Sequence, residues 1–143
     1  MAIKQISVFL ENKAGRLAEV TRILGENNIN INALSIADTA EFGILRLIVT
    51  DPDKVLDVLD KAGFSVSSTD VIAIAVDDKP GGLSISLKYL EDEKIDIEYI
   101  YAFVGKTSGQ ALVILRVQDW QKSTEILQNK GIKVLTEKEA HEM

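Results

Sequence analysis

Residues 3–10 carry Ile3, Ile6, Val8 and Leu10 in a run rich in β-formers, which predicts a strand. The polar turn Glu11-Asn12-Lys13-Ala14-Gly15 follows. Leu17, Val20 and Leu24 then recur at helical spacing, with Arg16, Glu19 and Arg22 on the other side, and Asn27-Asn28 stops the helix. Residues 29–37 and 43–50 read as two strands joined by a short turn over 38–42. Asp51 is an N-cap followed by Pro52 in the first helical position. Val55, Val58, Leu59 and Ala62 form the apolar stripe of a second helix, and Gly63 suits the left-handed residue that closes it. A last strand begins at 64–68.

The same order returns further along. Shifting by 66 residues carries Glu11 onto Asp77, Lys13 onto Lys79, Gly15 onto Gly81, Leu24 onto Leu90 and Ile29 onto Ile95. Later the shift is 68, carrying Asp51 onto Asp119, Leu59 onto Leu127 and Gly63 onto Gly131. The second copy is thus two residues longer, between segments ending near Asp38 and Val104, where a hairpin loop tolerates insertion. Its elements are a strand at 71–76, a helix over about 82–93, strands at 95–103 and 111–117, a helix at 119–130 and a strand at 132–136.

Each copy therefore reads βαββαβ, the split-βαβ plan. The fold class is α+β: two ferredoxin-like units in tandem, residues 1–68 and 69–143, each an antiparallel sheet with both helices on one face. Leu45, Leu47 and Val49 alternate with Ile44, Arg46 and Ile48, so neither face of that strand is properly polar. One set meets the helices. The other predicts that the open face or a sheet edge is covered by a neighbour. The connection around Ser67–Asp70 is short, so the copies are expected to pack together. Exposed edges and the apolar face argue for a homodimer of two-copy chains.

Composition narrows the chemistry. The chain has 143 residues, 46% of them hydrophobic and 27% charged, which is globular. The absence of cysteine removes disulfides, thiolate metal sites and cysteine nucleophiles. A single histidine, His141, excludes a histidine triad or a multi-histidine metal site. With 16 Lys+Arg scattered among 22 Asp+Glu, the net charge of -6 argues against nucleic acid. No apolar run is long enough to span a membrane, and the start lacks the apolar block of a signal peptide, so a cytoplasmic protein without membrane contact is expected. No catalytic residue, cofactor or metal site is indicated.

What remains is a turn. Residues 11–15 lie between a strand and a helix N-terminus, where unpaired N–H groups favour an anion. Gly15 can take positive φ and lets a ligand approach the backbone. Asn12 offers an amide donor and acceptor. Asn30 and Asn32 project from one side of the next strand. A ligand carboxylate suits the helix start, and an ammonium suits the asparagine oxygens. The plainer alternative is that Asn12 caps the helix, Gly15 makes the turn and Asn30 begins a strand.

The pattern E-N-K-A-G-R-L, an amphipathic helix, N-I-N-I-N-A-L-S-I, a hairpin and D-P-D resembles an ACT domain, a regulatory module that usually binds an amino acid. The second copy, with D-D-K-P-G-G-L and I-D-I-E-Y-I-Y, resembles one too. Its Pro80 matches the family's usual P-G turn, from which Ala14 departs. The likeness runs to about Thr136 and is nearest to stand-alone tandem ACT proteins. In serine-regulated phosphoglycerate dehydrogenases, two asparagines matching Asn12 and Asn30 hold the effector between paired domains. The resemblance therefore implies ligand contacts at Asn12, Lys13, Ala14, Gly15, Arg16, Leu17, Asn30 and Asn32. In the second copy it points to Asp78, Gly81, Gly82 and Asp96, although two carboxylates would repel a ligand's own. The implied role is a non-catalytic amino-acid sensor. The alternative is a regulatory subunit that binds a metabolic enzyme, as the small subunit of acetolactate synthase does.

Other features have simpler readings. Gly105-Lys106-Thr107 resembles the end of a P-loop, but the first glycine of that motif is replaced by Ile100. Tyr99, Tyr101 and Phe103 alternate on a strand and suit a packed sheet face. Glu91-Asp92-Glu93 suits a solvated helix end. Residues 136–143 are expected to fray, with His141 exposed.

Overall fold

The computed structural model describes residues 2–38, 41–104 and 109–141. The chain divides into two units. One is Lys4–Thr69 joined by His141, the other Asp70–Ala140 joined by Ile3.

In the first unit β1 (Ile3–Glu11) runs antiparallel to β3 (Phe42–Val49), with Ile6 opposite Leu47 and Glu11 opposite Phe42. On its other side β3 pairs with β2 (Ile31–Asp38), so β2, β3 and β1 lie in that order with β4 (Ser65–Asp77) next to β1. The alternation read from the sequence decides which face is covered. Ile6, Val8 and Leu10 of β1 and Leu45, Leu47 and Val49 of β3 meet Val20 and Leu24 of α1 (Arg16–Glu26) and Val55 and Leu59 of α2 (Pro52–Lys61). Leu24 and Leu59 are wholly buried, each contributing about 1.5–3 kcal/mol. On the other face Ile48 is buried, Arg46 is half-buried and Ile44 is exposed.

The second unit repeats this plan. β5 (Ile97–Ala102), β6 (Gln110–Val117) and β4 lie in order, with β7 (Lys133–Val134) pairing β4. Ile72, Ile74, Leu115 and Val117 meet Leu90 of α3 (Gly82–Asp92) and Leu127 of α4 (Trp120–Asn129). Caps repeat as well. Asp51 accepts from the Lys54 amide at 3.2 Å and Asp119 from that of Lys122 at 3.0 Å. Gly63 and Gly131 close the preceding helices at φ +93° and +82°.

Three expectations are corrected. The strands at 64–68 and 71–76 are one continuous 13-residue strand, because the Ser and Thr of 67–69 accept extended backbone as readily as a linker. Leu17 lies outside the core at 37% exposure, whereas Val20 and Leu24, further along the same face of α1, are buried in it. Residues 137–141 do not fray. Residues Glu137–His141 form α5, with His141 buried, because Thr136 and Glu139 cap the helix and His141 finds backbone partners. The Gly105–Thr107 segment lies outside the described residues.

Candidate functional site

The turn after β1 is built by its own backbone. The Lys13 amide donates to the Glu11 carbonyl at 2.8 Å, and the Asn12 amide donates to Glu41 at 2.8 Å, closing the end of the β1–β3 ladder. Gly15, at φ +88°, reverses the chain into α1, a conformation that costs an L side chain about 1–2 kcal/mol. Gly15 holds the N-cap position of α1 and has no side chain to cap it. Asn12, Lys13, Ala14 and Gly15 are exposed. The two cations are engaged locally. Lys13 Nζ lies 2.8 Å and Arg16 Nη2 3.5 Å from the Glu11 carboxylate, and Arg16 Nη1 lies 3.3 Å from Glu19. The Lys13 hydrogen bond, reinforced by its charge and by Arg16, holds the Glu11 carboxyl below the usual carboxylate range. Arg16 also lies over the Phe64 ring, 5.8 Å from its centre.

Asn30 and Asn32 stand at the start of β2. The Asn30 amide donates to Thr50 Oγ1 and the Thr50 amide to the Asn30 carbonyl, each at 3.1 Å. The Asn30 side chain, on an exposed residue, donates through Nδ2 to Asn32 Oδ1 at 2.9 Å. Asn32 is buried and donates its own Nδ2 to the His141 carbonyl at 3.0 Å. The ladder shifts register between Ile31 and Ala33, so Asn32 is the extra residue of a β-bulge, a device that re-aims a side chain.

In the second unit Asp78 and Asp96 are exposed, and the Asp78 amide donates to Gly109 at 3.1 Å, as Asn12 does to Glu41. Gly81 repeats the left-handed turn at φ +85°. Gly82 is buried against the Asp77 carbonyl, which a Cβ would strike. A bulge recurs at Glu98, whose carboxylate pairs with Arg116 Nε at 3.1 Å.

A family model described as ACT domain pair matches residues 1–143. The chain belongs to the ACT domain pair family. A protein of Bacteroides thetaiotaomicron of known crystal structure is 43% identical, with a TM-score of 0.94 over 100% of this chain and 98% of that one. The regulatory subunit of aspartate kinase from Thermus thermophilus, 14% identical, shares the fold at a TM-score of 0.67 over 88% of this chain and 91% of its own. That from Thermus flavus, also 14% identical, does so at 0.61 over 88% and 90%. No curated protein matches the chain.

Within the first unit of this ACT domain pair, Asn12 and Asn30 are not neighbours. Asn12 bonds to Glu41, before β3, and Asn30 to Thr50, after it. The nine residue steps from Glu41 to Thr50 span roughly 30 Å at about 3.3 Å each. A free amino acid cannot touch both asparagines of one unit. What the first unit does assemble is Asn30, Asn32 and His141. The last of these escaped sequence reasoning, although Thr136-Glu137-Lys138-Glu139 carries the capping-box spacing that marks a helix there. Beside the β1–α1 turn, Phe9, Glu11, Arg16, Phe42 and Phe64 line an open cleft of about 410 Å³. The matching cleft of the second unit, with Asp77, Gly82, Gln110 and Ile132, is about 190 Å³. Among the described residues no helix is long and apolar enough to cross a membrane.

Proposed function

We propose that this ACT domain pair is a non-catalytic, cytoplasmic regulatory protein that binds a small amino acid where two chains meet along their β2 edges. The separation of Asn12 from Asn30 carries the reading. Among the described residues β2 pairs only with β3, leaving its outer edge open, with Leu34 and Ile36 exposed along it. A second copy running antiparallel along that edge brings its Asn12 towards Asn30 of the first. Two-fold symmetry then completes two equivalent sites. The ligand's carboxylate would rest on the backbone N–H groups near Ala14–Leu17, where the helix start carries partial positive charge. Lys13 and Arg16 already face Glu11 and Glu19, so backbone and amide groups do the recognising. Ligand binding would then bias how the chains pair, and so report to a partner.

The test is a thermal-shift screen of the twenty standard L-amino acids at millimolar concentration, with light scattering on the free and stabilised protein. The reading expects a raised melting temperature for a small subset and a mass near twice 15.7 kDa. A strict monomer unaffected by all twenty would replace it with the alternative, a subunit that docks on a metabolic enzyme without a ligand.

A further inference from the structure

We infer that His141, the last residue of α5, is a positioning residue for the amino-acid site, fixing through Asn32 which end of the Asn30 amide is presented, so that Asn30 recognises the ligand's ammonium group. The inference rests on the reading above and adds to it the polarity of one contact and the residue that sets it.

A backbone carbonyl only accepts, so the Asn32 atom 3.0 Å from the His141 carbonyl is its amide nitrogen. The Asn32 oxygen is thereby turned to Asn30 at 2.9 Å, and Asn30 must meet it with Nδ2. Its Oδ1 is the end left to face outward from an exposed residue, and it accepts donors. The ammonium of an amino acid is such a donor, and its carboxylate is not. The anchor is firm. His141 is buried and its Nδ1 donates to the Val49 carbonyl at 2.8 Å, one residue before the Thr50 that grips the Asn30 backbone on both sides. Rotating either amide by 180° sets oxygen against oxygen, in a part-buried pair for Asn30 and a buried one for Asn32, at a cost of the order of a lost hydrogen bond.

The second unit serves as an internal control. At the positions matching Asn30 and Asn32 it has Asp96 and Glu98. Ionised carboxylates donate nothing, and Glu98 is turned to Arg116 instead. The relay belongs to the first unit, and it needs the bulge that turns Asn32 inward.

Three proteins test it: a chain lacking residues 141–143, Asn32→Leu, and Glu98→Gln as a control outside the relay. Side-chain amide spectra of ¹⁵N-labelled protein read the relay directly. The Asn30 amide protons should exchange slowly in the wild type and in Glu98→Gln, and rapidly in the other two. Calorimetry then uses each of the twenty L-amino acids and, for any that binds, the matching acid lacking the amino group. The deaminated acid should bind at least about tenfold more weakly, and so should the amino acid to the truncated chain and to Asn32→Leu. Should an amino acid bind the truncated chain as tightly as the wild type, the positioning role is overturned. Equal binding of the deaminated acid overturns the ammonium assignment. If none of the twenty binds wild type, the functional reading fails and takes the ammonium assignment with it, while the amide spectra still decide whether His141 orders Asn30.

Discussion

Thr136 and Glu139 bond to each other twice. The Glu139 amide donates to Thr136 Oγ1 at 3.1 Å, and the Thr136 amide donates to Glu139 Oε1 at 2.9 Å. This reciprocal cap starts α5 and so sets where residues 137–141 go. The Ala140 amide follows onto the Thr136 carbonyl at 3.0 Å, and His141 onto Val49 at 2.8 Å. Four residues thus convert a polar tail into an ordered element.

The cap makes α5 sensitive to acid. The Thr136 backbone hydrogen bond, with a further one from Lys133, pulls the Glu139 carboxyl down to about 2 from an ordinary 4.5. A depressed folded value means the stabilisation is complete above pH 4.5 and is lost as pH falls through about 2. Carbon-detected titration should find Glu139 well below 4.5, and exchange of the Ala140 amide should quicken over that window. In Glu139→Gln that acid step should vanish. A midpoint near 4.5 for Glu139 would sink the prediction.

The core predicts a contrast within one helix. Leu24 is wholly buried and Leu17 is 37% exposed. Leu24→Ala should cost roughly 2–5 kcal/mol in urea unfolding, and Leu17→Ala about 1 kcal/mol or less. Equal losses would mean that the phase of α1 is misassigned.

These two leucines also show what the sequence could and could not convey. Local signals were legible: Asp51-Pro52 starts a helix and Gly63 ends one, because capping and positive φ are decided within a few residues. The tandem βαββαβ order was legible because it is written twice. Leu17 kept the helical spacing of Val20 and Leu24, but whether a first turn reaches the sheet depends on where the sheet ends. Asn32 looked like one more strand residue, since a bulge arises only when two strands are paired. For the candidate site, residue types near the turn were legible. The distance between Asn12 and Asn30 was not, because it is set by the direction of β3.

Ligand binding should separate the copies. With whichever amino acid stabilises the protein, Asn12→Ala and Asn30→Ala should each weaken calorimetric binding about tenfold or more, with urea midpoints little changed. Asp78→Ala should do less. Loss of binding in Asp78→Ala alone would move the site to the second unit.

Gly82 supplies a fourth test. It stands where the first unit has Arg16, and a Cβ there meets the Asp77 carbonyl. Gly82→Ala should destabilise the protein by about 1–3 kcal/mol, because backbone rather than a flexible side chain must yield. A neutral Gly82→Ala in thermal unfolding would refute the close approach.

The grouping of His141 with Lys4–Thr69 has a consequence for synthesis. An N-terminal unit ordinarily completes its structure while the remainder of the chain is still being made. Here the hydrogen bond from Asn32 to residue 141 cannot form until the second unit has been made. The first unit is begun before the second and closed after it, so the start of β2 reaches its final order only once residue 141 has emerged.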